Sequence, residues 1–514
     1  MNIVIIGAGF AGLACAKTLR EFGFDVVLHE AAPDVGGVWS STRRYPGLST
    51  QNTKDTYAFS DFPMPRGFPE WPSGAQVQEY LEAYVERFGL APALRLESLV
   101  LRATPRPGGG WIITSRPTAG GEATVTEADH LVVANGIFST PKIPTWKGAD
   151  AFVASGGRVC AAAEVTDLEV VRNRHVLVIG YGKSACDVSM PVSSVAASTT
   201  VVARELLWKM PKKLGNVLNY KFLMLTRMGE ALFRYLRPAG VERFLHGPGD
   251  PVRRSMLSGV QAVATRQLRL EALGLVPTGS FERIARSTVS LATDGFYSHV
   301  AAERIKVLRD TTVTELLVDA EGGRTARLST GETVPADVVI CGTGFTQQLP
   351  FFDDGLQAQL TDSRANFELY RHIQPLTVPD LSFAGYNSSF FSPLSAELAS
   401  VWIASLLTGR HRVPDPEVRE REVTEMLRWM EERTEGRHAR GTNIIPFSLH
   451  NIDDLMADLG VRLDAVTRAR QWLLPVDPGA YSTVAAQVRQ RPTTLPERPA
   501  VEPPADESAP ALAA

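Results

Sequence analysis

Two glycine clusters carry the residue types and spacing that could do chemistry. The first, Gly7-Ala8-Gly9-Phe10-Ala11-Gly12, stands directly behind an apolar, β-branched run (residues 1–6). It leads into a helical pattern through Leu13, Cys15, Ala16 and Leu19. Strand, GxGxxG and helix in that order form a dinucleotide fingerprint. The glycines let the backbone turn tightly and approach a pyrophosphate, whose charge rests on the helix N-terminus. A second strand, residues 26–29, ends at Glu30, where an acid grips a ribose hydroxyl. The other cluster, Gly180-Tyr181-Gly182-Lys183-Ser184-Ala185-Cys186-Asp187, follows the strand 175–179. Ala185 takes the third-glycine position, which asks only for a small residue. Its second strand, 200–203, ends in Arg204, a cation suited to a 2′-phosphate. Glu30 thus points to the ribose of FAD or NAD at the first loop, and Arg204 to NADPH at the second.

The elements that must position these loops are those of an ordinary globular chain. It has 514 residues, 44% hydrophobic, with a net charge of −3 and a mean hydropathy of −0.04. That length allows more than one core, and the charge balance gives no pull toward nucleic acid. Cys15, Cys160, Cys186 and Cys341 are scattered without a CxxC. They read as buried small hydrophobes in a reducing cytosol rather than as a disulfide or zinc framework. The apolar stretch 3–16 lacks a basic n-region, so its glycine spacing explains it better than export does. No later run reaches transmembrane length unbroken. A cytoplasmic protein is expected.

Beyond Glu30, the Gly-, Pro- and aromatic-rich stretch 36–48 reads as loops over a ligand. Residues 77–88 return to helical periodicity, and strands follow near 96–100, 111–114 and 131–134. Asn135-Gly136 then opens a proline-stiffened connector to Pro144. Residues 208–277 alternate Lys and Arg (Lys209, Lys212, Lys213, Lys221, Arg253, Arg254) with apolar residues. This reads as a helical insertion with a solvated basic face, compatible with a substrate lid. A weak membrane-surface contact is the sharper alternative. Strands are expected near 305–308, 313–318 and 325–328. The run 336–341 then enters Gly342-Thr343-Gly344 and reads as the chain's return to the first domain. Helices are expected at 393–407, 414–435 and 452–459, before a Pro-, Glu- and Ala-rich disordered tail.

Further motifs join the two loops: Gly36-Gly37-Val38-Trp39, Phe59-Ser60-Asp61-Phe62-Pro63-Met64-Pro65, Ala134-Asn135-Gly136 and Cys341-Gly342-Thr343-Gly344-Phe345. Together they resemble the flavin-containing monooxygenases, class B flavoprotein monooxygenases related to the Baeyer–Villiger enzymes, over roughly residues 1–410. The resemblance implies an α/β fold of two Rossmann-like dinucleotide-binding domains, the NADPH domain inserted in the FAD domain. The implied division is an FAD domain at 1–150 and 331–410, and an NADPH domain at 151–330 carrying the 208–277 insertion. A C-terminal helical extension follows at 411–485, and the tail at 486–514.

By resemblance, Gly7, Gly9, Gly12, Glu30, Val38 and Trp39 fall on FAD-binding positions, and Gly344, at the chain's return to the first domain, reads as a glycine approaching the flavin or closing the sheet. Gly180, Gly182, Ser184, Ala185, Asp187 and Arg204 fall on NADPH positions. The family's asparagine near the flavin corresponds to Gln51, with Asn52 beside it, so an amide is kept at the catalytic position. The family identifier is eroded: Phe152 to Val165 keeps a glycine but neither the histidine nor the aromatic residue. The implied reaction takes hydride from NADPH to FAD and uses O₂ to form a C4a-(hydro)peroxyflavin. That species oxygenates a small-molecule substrate at nitrogen or sulfur, without a metal. Three alternatives stand beside it. Arg44-Tyr45-Pro46-Gly47 resembles the Baeyer–Villiger group, which would insert oxygen beside a ketone. A flavin disulfide reductase shares the architecture but needs a cysteine pair that is missing here. A non-catalytic nucleotide-binding protein could use the same scaffold.

Overall fold

The computed structural model describes residues 1–286, 290–436 and 440–493. Two parallel sheets organise it. The first runs Leu381–Phe383, His130–Val133, Asn2–Ile6, Asp25–His29, Leu94–Arg95, every neighbouring pair parallel. The second runs Arg158–Ala161, Val338–Cys341, His175–Ile179, Ser198–Ala203, Lys306–Arg309, again parallel throughout. The central strands are fully buried runs of Val, Ile and Leu, as a parallel sheet covered on both faces requires.

The two lobes repeat one plan. In each, a strand leads through the glycine loop into a helix, Phe10–Glu21 or Lys183–Val192, and then into the neighbouring strand. In each, an antiparallel three-stranded meander precedes the strand on the other side. Ser98–Pro105, Trp111–Pro117 and Thr124–Ala128 form the first; Val313–Val318, Arg324–Leu328 and Thr333–Pro335 form the second.

This symmetry corrects the expected return point. Val338–Cys341 pairs with His175–Ile179 and so belongs to the second sheet, with Val339 opposite Leu177. Gly342-Thr343-Gly344 is therefore the second lobe's counterpart of Ala134-Asn135-Gly136. A buried strand ending in glycine marks a parallel sheet, but its sequence does not say which sheet. The chain re-enters the first lobe just beyond, where Phe345–Thr346 pairs antiparallel with Thr140–Pro141. The outward and return crossings thus form one short ribbon.

The insertion is longer than expected. Lys209–Met210 pairs with Ser290–Leu291, closing it well past residue 277. Its helices include Asp250–Gln267. The basic face is only partly solvated: Lys209 is 1% exposed, and Arg253 is buried against Asp250 and Glu282. Behind the first loop, helix Ser392–Leu407 packs on Phe10–Glu21, with Cys15 Sγ 3.1 Å from Ser400 Oγ. The C-terminal helices Pro416–Thr434 and Ser448–Asp458 follow the expected positions. Four free cysteines are buried. The expected tail begins too early at 486, because Val484–Arg489 is a helix whose Val488 is fully buried. From 494 onward that expectation lies outside the described residues. Among the described residues no helix is long and apolar enough to cross a membrane.

Candidate functional site

Both glycine loops sit at the carboxyl ends of their sheets, where open α/β folds bind ligands. Gly7 (φ +106°) donates its N–H to His29 O at 2.8 Å, and Gly180 (φ +113°) donates to Val202 O at 2.9 Å. A Cβ on Gly7 would lie 2.5 Å from Ala134 O, and one on Gly180 would lie 2.5 Å from Gly342 O, so only glycine fits either turn. Gly9 and Gly182 are the helix N-caps. Neither helix has a side-chain cap or an acidic first turn. Their first-turn N–H groups and positive dipole ends thus have the polarity that suits an anion.

Around the first loop, Glu30 accepts from Ala8 N at 2.8 Å and Ala32 N at 2.9 Å. This fixes the carboxylate at the loop's mouth. Gly36 donates to Ala8 O, and Gly37 lies against Gly9 with a would-be Cβ 3.2 Å from its Cα. The turn Gly37–Trp39 therefore covers the loop, with Val38 half-buried and Trp39 edge-on to Tyr57. Burial pushes the Tyr57 hydroxyl up to about 12. His29 is held neutral by burial, at about 4.

Around the second loop, Asp187 is 2% exposed. It pairs with the Lys183 ammonium and accepts from Thr293 Oγ1 at 2.5 Å, while its Oδ2 has no partner. Ser184 lies against Tyr45, whose hydroxyl is pushed far up by burial, and Gly47 abuts Asp187 and Pro191. The Arg44–Gly47 stretch thus belongs to the contact between the lobes. Ala185 meets Gly342, whose would-be Cβ lies 2.6 Å from the Ala185 Cβ. Arg204 is exposed one residue beyond Ala203, which closes its strand. Gly344 (φ +89°) is placed on the crossing ribbon, its carbonyl accepting from Lys142 N at 2.9 Å.

The amide pair stands where the lobes converge. Gln51 Oε1 accepts from Leu291 N at 3.1 Å, and Gln51 O accepts from Tyr220 Oη at 2.7 Å. Asn52 is buried, donating to Phe390 O and accepting from Tyr220 Oη at 3.2 Å. Asn52 is thereby committed to holding the insertion against the loop before Ser392–Leu407. Gln51 keeps its amide NH₂ free of any hydrogen bond to the described residues.

Sequence reading missed Tyr220 and Thr293. Both lie in or near the insertion, and neither has a spacing signal that ties it to residues more than a hundred positions away. An open cleft of about 390 Å³ lies beside this region, lined by Trp71, Lys212, Lys213, Thr293, Asp294 and Tyr297 among others. Among the described residues no cluster of His, Cys, Asp and Glu could hold a metal.

A family model described as flavin-binding monooxygenase-like matches residues 1–246. A probable flavin-containing monooxygenase 1 of Arabidopsis thaliana is 27% identical over 90% of this chain and 92% of its own length. The fold is that of the S-allyl-L-cysteine S-oxygenase of Allium sativum (TM-score 0.60, 20% identity, 95% of each chain). It is likewise that of cyclohexanone monooxygenase from Rhodococcus sp. Phi1, solved with NADP⁺ (TM-score 0.62, 19% identity, 85% of this chain and 90% of that one).

Proposed function

For a chain that belongs to the class B flavin monooxygenases and takes FAD and NADPH as cofactors, we propose oxygenation of a small molecule at a soft nitrogen or sulfur atom. The observation that carries this reading is the amide pair Gln51–Asn52, held between two intact glycine loops by contacts from both lobes. FAD, once reduced by NADPH, supplies the oxygen-activating chemistry. The chain supplies binding, orientation and exclusion of water. Gly7, Gly9 and Gly12 receive the FAD pyrophosphate, Glu30 its ribose, and Val38 and Trp39 close over it. Gly180, Gly182, Ser184 and Ala185 receive the NADPH pyrophosphate, Asp187 braces that helix, and Arg204 takes the 2′-phosphate. The Gln51 amide NH₂ is the donor available to the reacting oxygen, while Asn52 and Tyr220 hold it in place.

The Baeyer–Villiger reading is kept by the Arg44–Gly47 stretch, which packs where it would govern the approach of the two lobes. A single experiment separates the readings. FAD-loaded protein is given NADPH and ¹⁸O₂ with a panel of tertiary amines, thioethers and cyclic ketones, and products are weighed by mass spectrometry. One ¹⁸O in an N-oxide or sulfoxide is expected. Labelled ester or lactone would replace that reading with the Baeyer–Villiger one. NADPH consumption yielding only hydrogen peroxide with every substrate class would overturn both.

A further inference from the structure

The second loop is surrounded by more positive charge than a resting protein has reason to bury. Lys183 occupies the first turn of its helix, at the positive end of the dipole, where a cation is disfavoured. Burial pulls its ammonium below the usual lysine range despite Asp187, and Lys212 and Lys209 push the same way. Lys209 is buried still more completely, at 1% exposure, and makes no ion pair among the described residues. Its Nζ lies 3.5 Å from Ser290 Oγ and 4.9 Å from the ring centroid of Tyr181, the residue between the loop's two glycines. The Cys186 thiol, in the helix's first turn, is beside it. Lys212 is satisfied by the exposed Asp294. Lys183, mostly buried, and Lys209, fully buried, thus stand beside a loop whose one buried carboxylate, Asp187, is already paired with Lys183. A buried charge without a counter-charge is destabilising, so the arrangement is suited to completion by an anion.

The anion must reach the loop from solvent and bring at least one negative charge, since Lys183 is paired with Asp187 and Lys209 has no counter-charge among the described residues. The cleft lined by Lys212 and Thr293 gives the way in, since Thr293 is itself bonded to Asp187. We propose that Lys183 and Lys209 are pyrophosphate-positioning residues for NADP(H): Lys183 exchanges its bond to Asp187 for the dinucleotide's pyrophosphate, and Lys209 completes the charge balance from the ribbon that also holds Gln51. This rests on the reading of the second loop as the NADPH site. The Lys209–Met210 and Ser290–Leu291 ribbon joins the two events physically. Leu291 donates to Gln51, so a shift of Lys209 toward an arriving pyrophosphate is transmitted to the amide at the reacting centre.

The test is equilibrium binding of NADP⁺ and of NAD⁺ to FAD-loaded protein, followed by perturbation of the flavin spectrum. Lys183→Gln and Lys209→Met are each expected to raise Kd about tenfold. The factor should be the same for both nucleotides, because the pyrophosphate is common to them, and Lys183→Arg is expected to restore binding. Arg204→Ala is the separate arm. It should weaken NADP⁺ alone, and its failure would count against the 2′-phosphate assignment without touching the lysines. Unchanged Kd values for both nucleotides in both lysine variants would overturn the proposal, as would a loss confined to NADP⁺. Should a variant fail to retain FAD, inorganic pyrophosphate decides on the unaltered protein. Displacement of both NADP⁺ and NAD⁺ is expected, and no displacement overturns the proposal.

Discussion

The two glycine loops are built on the same plan from different atoms. At the first, Gly12 has no room at all: a Cβ there would lie 1.8 Å from Gly7 O. Its opposite number across the sheet end is Ala134. At the second, the helix carries Ala185 and the facing residue is Gly342. One methyl group has changed sides, so helix and sheet close to a similar depth by opposite allocations of bulk. The charged residues beyond the strand ends differ in a second way. The ladders pair Ile6 with His29 and Ile179 with Val202. Glu30 therefore corresponds to Ala203, and Arg204 lies one residue further out. On the proposed reading a carboxylate that binds a hydroxyl sits at the loop, where Glu30 is held by Ala8. On the same reading a guanidinium that binds a phosphate beyond that hydroxyl sits one step outward, where Arg204 is exposed. The same plan is thus built twice, with a methyl group and a charged residue shifted between the copies.

Gly12→Ala should break the first loop outright. Its Cβ would meet backbone, not a movable side chain, and a loss of about 3 kcal/mol or more is expected. FAD content after purification and the unfolding midpoint would show it. The same exchange in reverse, Ala185→Gly, is expected to be tolerated at the second loop.

A pH series probes the buried carboxylate behind the first loop. Glu397, on the helix packed against Phe10–Glu21, accepts from Ser60 N at 2.8 Å and Ser60 Oγ at 2.6 Å. Burial nevertheless holds its carboxyl at about 7, above the ordinary 4.5. The folded form keeps a proton that the unfolded chain gives up. The stabilisation it gives is therefore complete below pH 4.5 and is lost as pH rises through about 7. Glu397→Gln should flatten this slope, on the order of 2–3 kcal/mol between pH 4.5 and 8, in midpoints measured against unaltered protein.

Gly342→Ala tests the methyl exchange itself. The added Cβ meets Ala185, and a loss of about 1–3 kcal/mol is expected. Combining it with Ala185→Gly should recover part of that loss, whereas combining it with a distant substitution should not. Full additivity in the double variant would show that the two positions do not share the space. The smallest effect belongs to the outward residue: Arg204→Ala should lower the preference for NADPH over NADH by about tenfold, or about 1.4 kcal/mol. Steady-state turnover with each coenzyme reads this, with flavin content unchanged.

The parts legible in the sequence were those written in adjacent residues. Both strand–loop–helix units, the buried strands beside them and the helix behind the first loop have local periodicities, and they fold where those periodicities place them. Glu30 and Arg204 were visible because a strand fixes their distance from the loop. The rest depends on pairing between distant segments. Val338–Cys341 has the composition of a strand for either sheet, and only its register with Val176 assigns it to the second. Lys209 looked like one of many surface cations. Its burial comes from a two-residue ribbon with Ser290–Leu291, too short to leave a period. The commitment of Asn52 to Phe390 and Tyr220 joins positions with no spacing relation, so the sequence could place an amide there but not say which of the two was free to act.

The ribbon formed by Thr140–Pro141 and Phe345–Thr346 has a mechanical consequence. The chain leaves the first lobe and comes back through strands bonded to one another, so both crossings lie on one line. Twisting about that line preserves the bonds between the strands, while pulling the lobes apart would tear them. The crossings alone therefore constrain the lobes least about that line, while the contacts of Gly47 with Pro191 and of Gln51 with Tyr220 and Leu291 hold them across it. A disulfide engineered between positions 141 and 345, on the line itself, should leave turnover unchanged.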